Sequence, residues 1–414
     1  MTIKLFRNAR IYTPVDKGFP RGGADQNQVA IYENGALLVE NGLINRIGDA
    51  SYVMKGLSSK PIDQEIDCRG NCMIPGFVDP HTHLCFARRR EEEFDMRIAG
   101  TPYLEILNQG GGILSSVRAV HEASESELLN NTLRHALSAL SFGTTTVEIK
   151  SGYGLDTANE LKMLRVIEQV GRFSPLDVVP TFLGAHAVPE TFRGRADDFV
   201  DLVIEEMLPA VVEQKIARYC DVFCEKGVFS IDQGRKILTA AKRLGLGIKI
   251  HADEVHDLGG ASLAADLGAV SADHLLAAGA ISIEKMVKTG VVANLLPATA
   301  YSLRKPYARA REMIGAGLPV ALATDCNPGS GYTESMPFVF GLAVINMMMT
   351  PFEALTGTTL NAAYAVGMAD RVGSLDVGKQ ADFLLLEGDT PAIIAYHAGV
   401  NPVDSVYKSG ERVK

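Results

Sequence analysis

Met73-Ile74-Pro75-Gly76-Phe77-Val78-Asp79-Pro80-His81-Thr82-His83 is a short apolar run that stops at two histidines one residue apart. The run Met73 to Val78 is the first of eight between about Asn71 and Asp370. The others are Thr144 to Ile149, Val178 to Leu183, Cys220 to Cys224, Gly247 to Ile250, Val270 to Ala272, Val291 to Leu295 and Val320 to Ala323. Longer segments of helical period, such as Ser126 to Leu140 and Thr157 to Val170, separate them. Strands alternating with helices imply a parallel sheet with helices outside it, and eight such strands fit a closed (β/α)8 barrel of the TIM type over residues 71–370.

Outward from the barrel, Ile3 to about Ile66 reads as short strands. Ala36 to Glu40, then Asn41-Gly42, then Leu43 to Ile47 is a hairpin signal, because both turn residues accept positive φ. The same texture returns in Ala381 to Leu386 and in Val403 to Val413. Residues 1–70 and 371–414 are therefore expected to build one small β-sandwich domain from both termini, an α/β chain with the barrel inserted into it.

The chain has 414 residues, 47% of them hydrophobic, enough for a large core. Its net charge of -9 and pI near 5.6 exclude the dense basic surface that nucleic acid requires, so a small-molecule substrate is expected. Met1 to Arg10 alternates apolar and polar residues without a signal-peptide core, and no apolar stretch approaches the roughly 20 residues of a membrane helix. A cytoplasmic protein free of membrane is expected, with a homodimer as the commonest closed assembly. Six cysteines are too few for a disulfide scaffold and read as reduced thiols. Cys68 and Cys72 lack the second pair a zinc site of that kind needs.

Barrel chemistry gathers at the carboxyl ends of the strands. After successive runs come His81 and His83, then Lys150 and Tyr153, His186, Glu225, His251 and Glu254, Asp273 and His274, Pro297, and finally Asp325 and Asn327. His81 and His83 point to the same side and reach one ion from one segment. Adding His251 and Asp325 gives three imidazoles and a carboxylate, a donor set suited to one zinc or iron ion with an open position. Such an ion brings a bound water's pKa toward roughly 7 and polarises a carbonyl, as amide hydrolysis needs. Glu254 and His274 are candidates for acid/base work, and Asp325 is a third.

Other features read as structural. His121 and His135 fall in polar helical stretches and read as surface histidines, as do His256 and His397. Arg88-Arg89-Arg90 followed by Glu91-Glu92-Glu93 is a self-paired charge run, raised only by its place after the histidine pair. Gly110-Gly111-Gly112 lacks the lysine of a phosphate loop and reads as a tight turn or lid. Met347 to Met349 reads as core.

Pro75 to His83 is similar to the metal-binding signature of the amidohydrolase superfamily. Further segments resemble the imidazolonepropionase family within it: Gln109 to Ile113, Glu148 to Gly154, Phe182 to His186, Ile250 to Glu254, Ser271 to His274, Tyr307 to Arg311 and Ala323 to Ser330. The resemblance implies hydrolysis of the ring amide of 4-imidazolone-5-propanoate to N-formimidoyl-L-glutamate, the third step of histidine degradation. It also implies that Arg90 meets the propionate, that Tyr153, His186 and Glu254 contact the substrate, and that Asn327, Gly329 and Ser330 hold the product's glutamate portion. The family accepts Gln or Glu at the position of Glu254, so its acid/base role is not universal. Binuclear relatives use a carbamylated lysine from the fourth strand; here Phe223-Cys224-Glu225 stands there, with Lys226 one step on, which implies a single ion. A deaminase of a cytosine- or guanine-like ring, which would release ammonia, and a catalytically silent scaffold protein, which would bind no metal, are the alternative readings.

Overall fold

A computed structural model describes residues 2–57, 62–101, 105–106 and 109–414. Eight parallel strands lie side by side in chain order: Phe77–Asp79, Thr144–Lys150, Asp177–Ala185, Tyr219–Cys224, Gly247–Ala252, Ser271–His274, Val292–Leu295 and Val320–Leu322. The first and eighth meet just beyond their carboxyl ends, where Asp325 N–H donates to the His81 carbonyl (3.1 Å) and His83 N–H to that of Cys326 (2.9 Å). Asp79 fastens the same seam by accepting from the Thr324 N–H (3.1 Å) and hydroxyl (2.6 Å). Burial pushes the Asp79 carboxyl up to about 7, against the pull of those two donors. At the other end the barrel is floored by apolar side chains, Val78, Val179, Tyr219, Val292 and Ala321, packed on the helix Leu360–Ala365.

Helices cover the outside, and their starts are written locally. Ser124 opens Glu125–Ser141 with a capping box to Glu127, and Ser230 opens Ile231–Arg243 with one to Gln233. No helix among the described residues is long and apolar enough to cross a membrane. All six cysteines are free and buried.

Strands from both termini form a second, eight-stranded sheet. Ile3–Pro14 is its axis, antiparallel to Val29–Glu40 on one side and parallel to Gln64–Asp67 and then Cys72–Pro75 on the other. The hairpin turn falls at Asn41 (φ 52°) and Gly42 (φ 81°), with Glu40 opposite Leu43. The sheet curls until Ile44 N–H reaches the Lys379 carbonyl (2.9 Å), enclosing a core in which Phe6 meets Phe383 and Tyr407 edge-on. Lys408 ties it to the barrel, its Nζ 2.5 Å from Asp382 Oδ2 and 2.7 Å from Asp177 Oδ2.

Two readings of the sequence need correction. The run Met73 to Val78 is divided: Cys72–Pro75 belongs to the small sheet, antiparallel to Phe383–Leu386, and only Phe77–Asp79 to the barrel. Pro75 offers no N–H to continue a ladder, and the Gly76 N–H turns to the Asp382 carbonyl (3.0 Å). The methionine run is not uniformly core, because the helix Met336–Asn346 ends before it and Met348, at φ 57°, is 67% exposed between buried neighbours. A side chain at Gly76, the joint between the sheets, would overlap the Thr145 hydroxyl. Gly76→Ala is expected to destabilise the protein by about 1–3 kcal/mol, read from urea melts; an unchanged midpoint would contradict this tight joint.

Candidate metal centre

Alternation along the strands decides what enters the barrel. Val147, Ile149, Cys220, Val222, Ile248 and Ile250 belong to the core beneath the outer helices. The residues between them, Glu148, Lys150, Asp221, Lys249 and His251, point inward. Lys150 Nζ lies 2.8 Å from both Glu148 Oε2 and Asp221 Oδ2 and 3.9 Å from Asp273 Oδ2, while Lys249 Nζ lies 3.2 Å from Glu148 Oε1. These side chains are fully buried. Burial opposes the charge of Lys150, but Asp221 and Glu148 outweigh it and raise the pKa. Burial likewise opposes the charge on Asp221, and His251 with Lys150 holds that carboxyl well below its ordinary range.

Above this layer, His81 Nδ1 donates to Asp273 Oδ2 (2.6 Å) and His251 Nδ1 lies 3.0 Å from Asp221 Oδ2. With Nδ1 so occupied, the Nε2 atoms face the centre. His251 Nε2 is 3.3 Å from His83 Nε2, and Asp325 Oδ1 is 3.6 Å from Nε2 of both His81 and His83. Ligand atoms of His81, His83 and His251 fall within 4.8 Å of one another, as do those of His81, His274 and Asp325. His81 Nε2 is buried and has no hydrogen-bond partner among the described residues. Burial, reinforced by Lys150 at His81 and His186 at His83, holds both imidazoles well below their ordinary pKa and therefore neutral, the form that binds a cation. The donor set thus fits a metal ion, with two buried carboxylates orienting two of the imidazoles from behind. Thr299 holds the fourth group, donating to Asp325 Oδ2 (2.5 Å) and leaving Oδ1 toward the histidines.

Around this centre the remaining candidates divide into groups. His274 Nδ1 lies 3.7 Å from Glu254 Oε1. The His186 ring stacks on His83 at 4.8 Å, and its Nδ1–H donates to the Gly152 carbonyl (3.0 Å), which leaves Nε2 as the acceptor nitrogen. Burial, then His251, pushes the His186 imidazole down to about 3. Tyr153 is buried 5.3 Å from His186 between ring centroids. Arg90 gives Nε and Nη2 to Glu93 (2.9 and 2.6 Å), and its Nη1 sits over Gly329, where any side chain would overlap it. Asn327 Oδ1 accepts from the N–H of Gly329 (2.8 Å) and Ser330 (2.7 Å), so its amide shapes the loop itself. His274 and Asp325 sit at φ 78° and 52°, backbone strain of the kind that clusters at functional sites.

Sequence reasoning passed over Asp221, Lys249 and Thr299 and gave Lys150 and Asp273 no role. Its signal for the first two was a polar residue alternating with apolar ones inside a barrel strand. His135 is also corrected: it is 8% exposed, stacked on Phe86 at 4.5 Å and 2.9 Å from Glu334, because Phe86 and Tyr332 from distant segments cover it. His121, His256 and His397 are exposed, as expected. Lys226 is exposed. Asp221→Asn is expected to weaken metal binding about 10–100-fold in chelator competition, since the imidazole of His251 loses its anionic partner; unchanged affinity would deny the carboxylate that role.

The sequence profile of the Amidohydrolase family matches residues 72–413. Imidazolonepropionase of Desulfotalea psychrophila is 65% identical over 413 residues, 100% of both chains, and that of Syntrophobacter fumaroxidans is 60% identical over 414 residues, 100% of this chain and 98% of its own. Among solved structures, E. coli guanine deaminase aligns with a TM-score of 0.73 at 15% identity, covering 100% of this chain and 99% of that one. The 5-methylcytosine deaminase of Klebsiella pneumoniae also aligns at 0.73, with 17% identity over 99% and 97%. At those identities the likeness is one of fold alone. Matched end to end by imidazolonepropionases at 60% identity and above, the chain belongs to the imidazolonepropionase family of amidohydrolases.

Proposed function

We propose that this chain hydrolyses the ring amide of 4-imidazolone-5-propanoate to N-formimidoyl-L-glutamate, the third step of histidine degradation. The observation that carries the reading is the convergence of His81, His83, His251 and Asp325 on one point at the mouth of a barrel whose whole chain matches that family. In this reading those four residues hold one zinc or iron ion per subunit. The ion, when bound, lowers the pKa of a water and polarises the ring carbonyl.

The rest of the chemistry falls to side chains. Water adds to the ring carbonyl carbon, the C–N bond breaks, and the ring nitrogen leaves with a proton. In this reading Asp325 Oδ1 and the His274–Glu254 pair take the proton of the water and return it to that nitrogen; the 3.7 Å approach of His274 to Glu254 and the Thr299 bond that leaves Asp325 Oδ1 toward the histidines support it. Arg90, oriented by Glu93, receives the propionate on Nη1. Tyr153 and His186 flank the ring, His186 offering Nε2 as an acceptor, while Gly329 and Ser330, on the loop shaped by Asn327, bound the glutamate portion of the product. A cytoplasmic homodimer completes the reading.

Purified protein is expected to consume freshly generated 4-imidazolone-5-propanoate faster than its spontaneous decay, forming N-formimidoyl-L-glutamate without ammonia, and His251→Ala is expected to return the rate to the spontaneous one. No acceleration in a metal-replete sample would sink the reading, and ammonia would point to a deaminase. Arg90→Met is expected to raise KM roughly 10–100-fold, the loss of a charged hydrogen bond of about 1.5–3 kcal/mol. An unchanged KM would remove Arg90 from the propionate.

A further inference from the structure

Between the helices Glu91–Ile98 and Pro297–Leu303 and the loop after Asp325 lies a cavity of about 590 Å³. Among the described residues it sets four arginines, Arg89, Arg90, Arg97 and Arg304, against a single acidic residue, Glu91. A neighbouring cavity of the same volume sets four arginines against four glutamates, and the one beside Glu254 opposes that glutamate with Lys305 alone. In a chain of net charge -9 this excess of cations is local.

Two of the four arginines find no carboxylate among the described residues. Arg97 donates to the Gly329 carbonyl (3.0 Å) and to Ser302 Oγ (3.3 Å), and its buried Nε has no hydrogen-bond partner among the described residues. Arg304 closes its helix in the left-handed conformation, exposed and without an ion pair among the described residues. Aromatic walls face these cations: Phe94, Tyr332, and Tyr301 set edge-on to Phe338 at 5.2 Å. The floor is Gly329 and Gly331. Arg90 Nη1 lies over the first, and a Cβ on the second would sit 3.0 Å from Thr299 Oγ1, the hydroxyl that holds Asp325. The cavity is therefore one loop away from the metal centre, and Arg90, which the proposed function assigns to the propionate, lines it.

We propose that this cavity is a binding site for small planar carboxylates, an antechamber that gathers the anionic substrate and passes it across Gly329 to Arg90. Guanidinium donors take the carboxylate, the aromatic walls take the flat ring, and the local positive field raises substrate concentration at the mouth. The proposal deepens the hydrolase reading and rests on it for the identity of the carboxylate.

The test compares the native protein with an Arg89→Gln/Arg304→Gln double variant, chosen because both side chains are exposed and neither supports the core. KM for 4-imidazolone-5-propanoate and Kd for the inert probe 3-(imidazol-4-yl)propionate are measured across a salt series. At low salt both constants are expected to rise about tenfold with kcat within about twofold. The difference should close near about 1 M salt, where the screening length is about 3 Å. Arg89→Lys/Arg304→Lys, which keeps the charge, should restore both constants. Equal Kd values for native protein and the glutamine variant at low salt would overturn the antechamber. Should native protein fail to turn over the imidazolone, the hydrolase reading falls alone, and the probe Kd still decides the cavity.

Discussion

Charge buried inside the barrel is the constraint on which the rest of this structure depends. Lys150 and Lys249 stand among Glu148, Asp221 and Asp273 with no access to solvent, and any one of these groups alone would carry a desolvation penalty of several kcal/mol. They are tolerable only as a set, and the set has one geometry. That geometry aims Asp273 at His81 and Asp221 at His251, so the lower layer fixes the ring orientations of the layer above. The buried carboxylates Glu148, Asp221, Asp273 and Asp325 outnumber the ammonium groups of Lys150 and Lys249, and a cation held among the Nε2 atoms would offset the excess.

The same residues close the barrel. Its first and eighth strands are joined where the histidine pair and Asp325 leave them, through the backbones of His81, His83, Asp325 and Cys326. Building the site and sealing the sheet are one event. The strained backbones of His274 and Asp325 sit next to this seam, that of Asp325 held by the bond from its N–H to the His81 carbonyl.

Much of this was legible in the sequence, for local reasons. Strand ends announce themselves when an apolar run stops at His81 or Asp325, and the Asn41-Gly42 turn needs nothing beyond its own two residues. What escaped depends on partners far away in the chain. Asp221 in Cys220-Asp221-Val222 is a solitary acid until His251, thirty residues later, and Lys150 are folded beside it. Thr299 has no special neighbour in sequence, and its role exists only once its helix start abuts Asp325. Met73 to Val78 read as one strand because hydropathy does not register that Pro75 and Gly76 hand the chain from one sheet to another. His135 read as exposed because helical period cannot foresee Phe86 and Tyr332 closing over it.

Family membership and buried geometry both support the proposal that one metal ion lies among His81, His83, His251 and Asp325. Anomalous diffraction from crystals of the native protein, recorded on both sides of the zinc and iron absorption edges, tests it most directly. One peak at about 2.0–2.2 Å from the three Nε2 atoms and an Asp325 oxygen is the predicted result. Two peaks in the barrel mouth, or active crystals with no peak there, would contradict it.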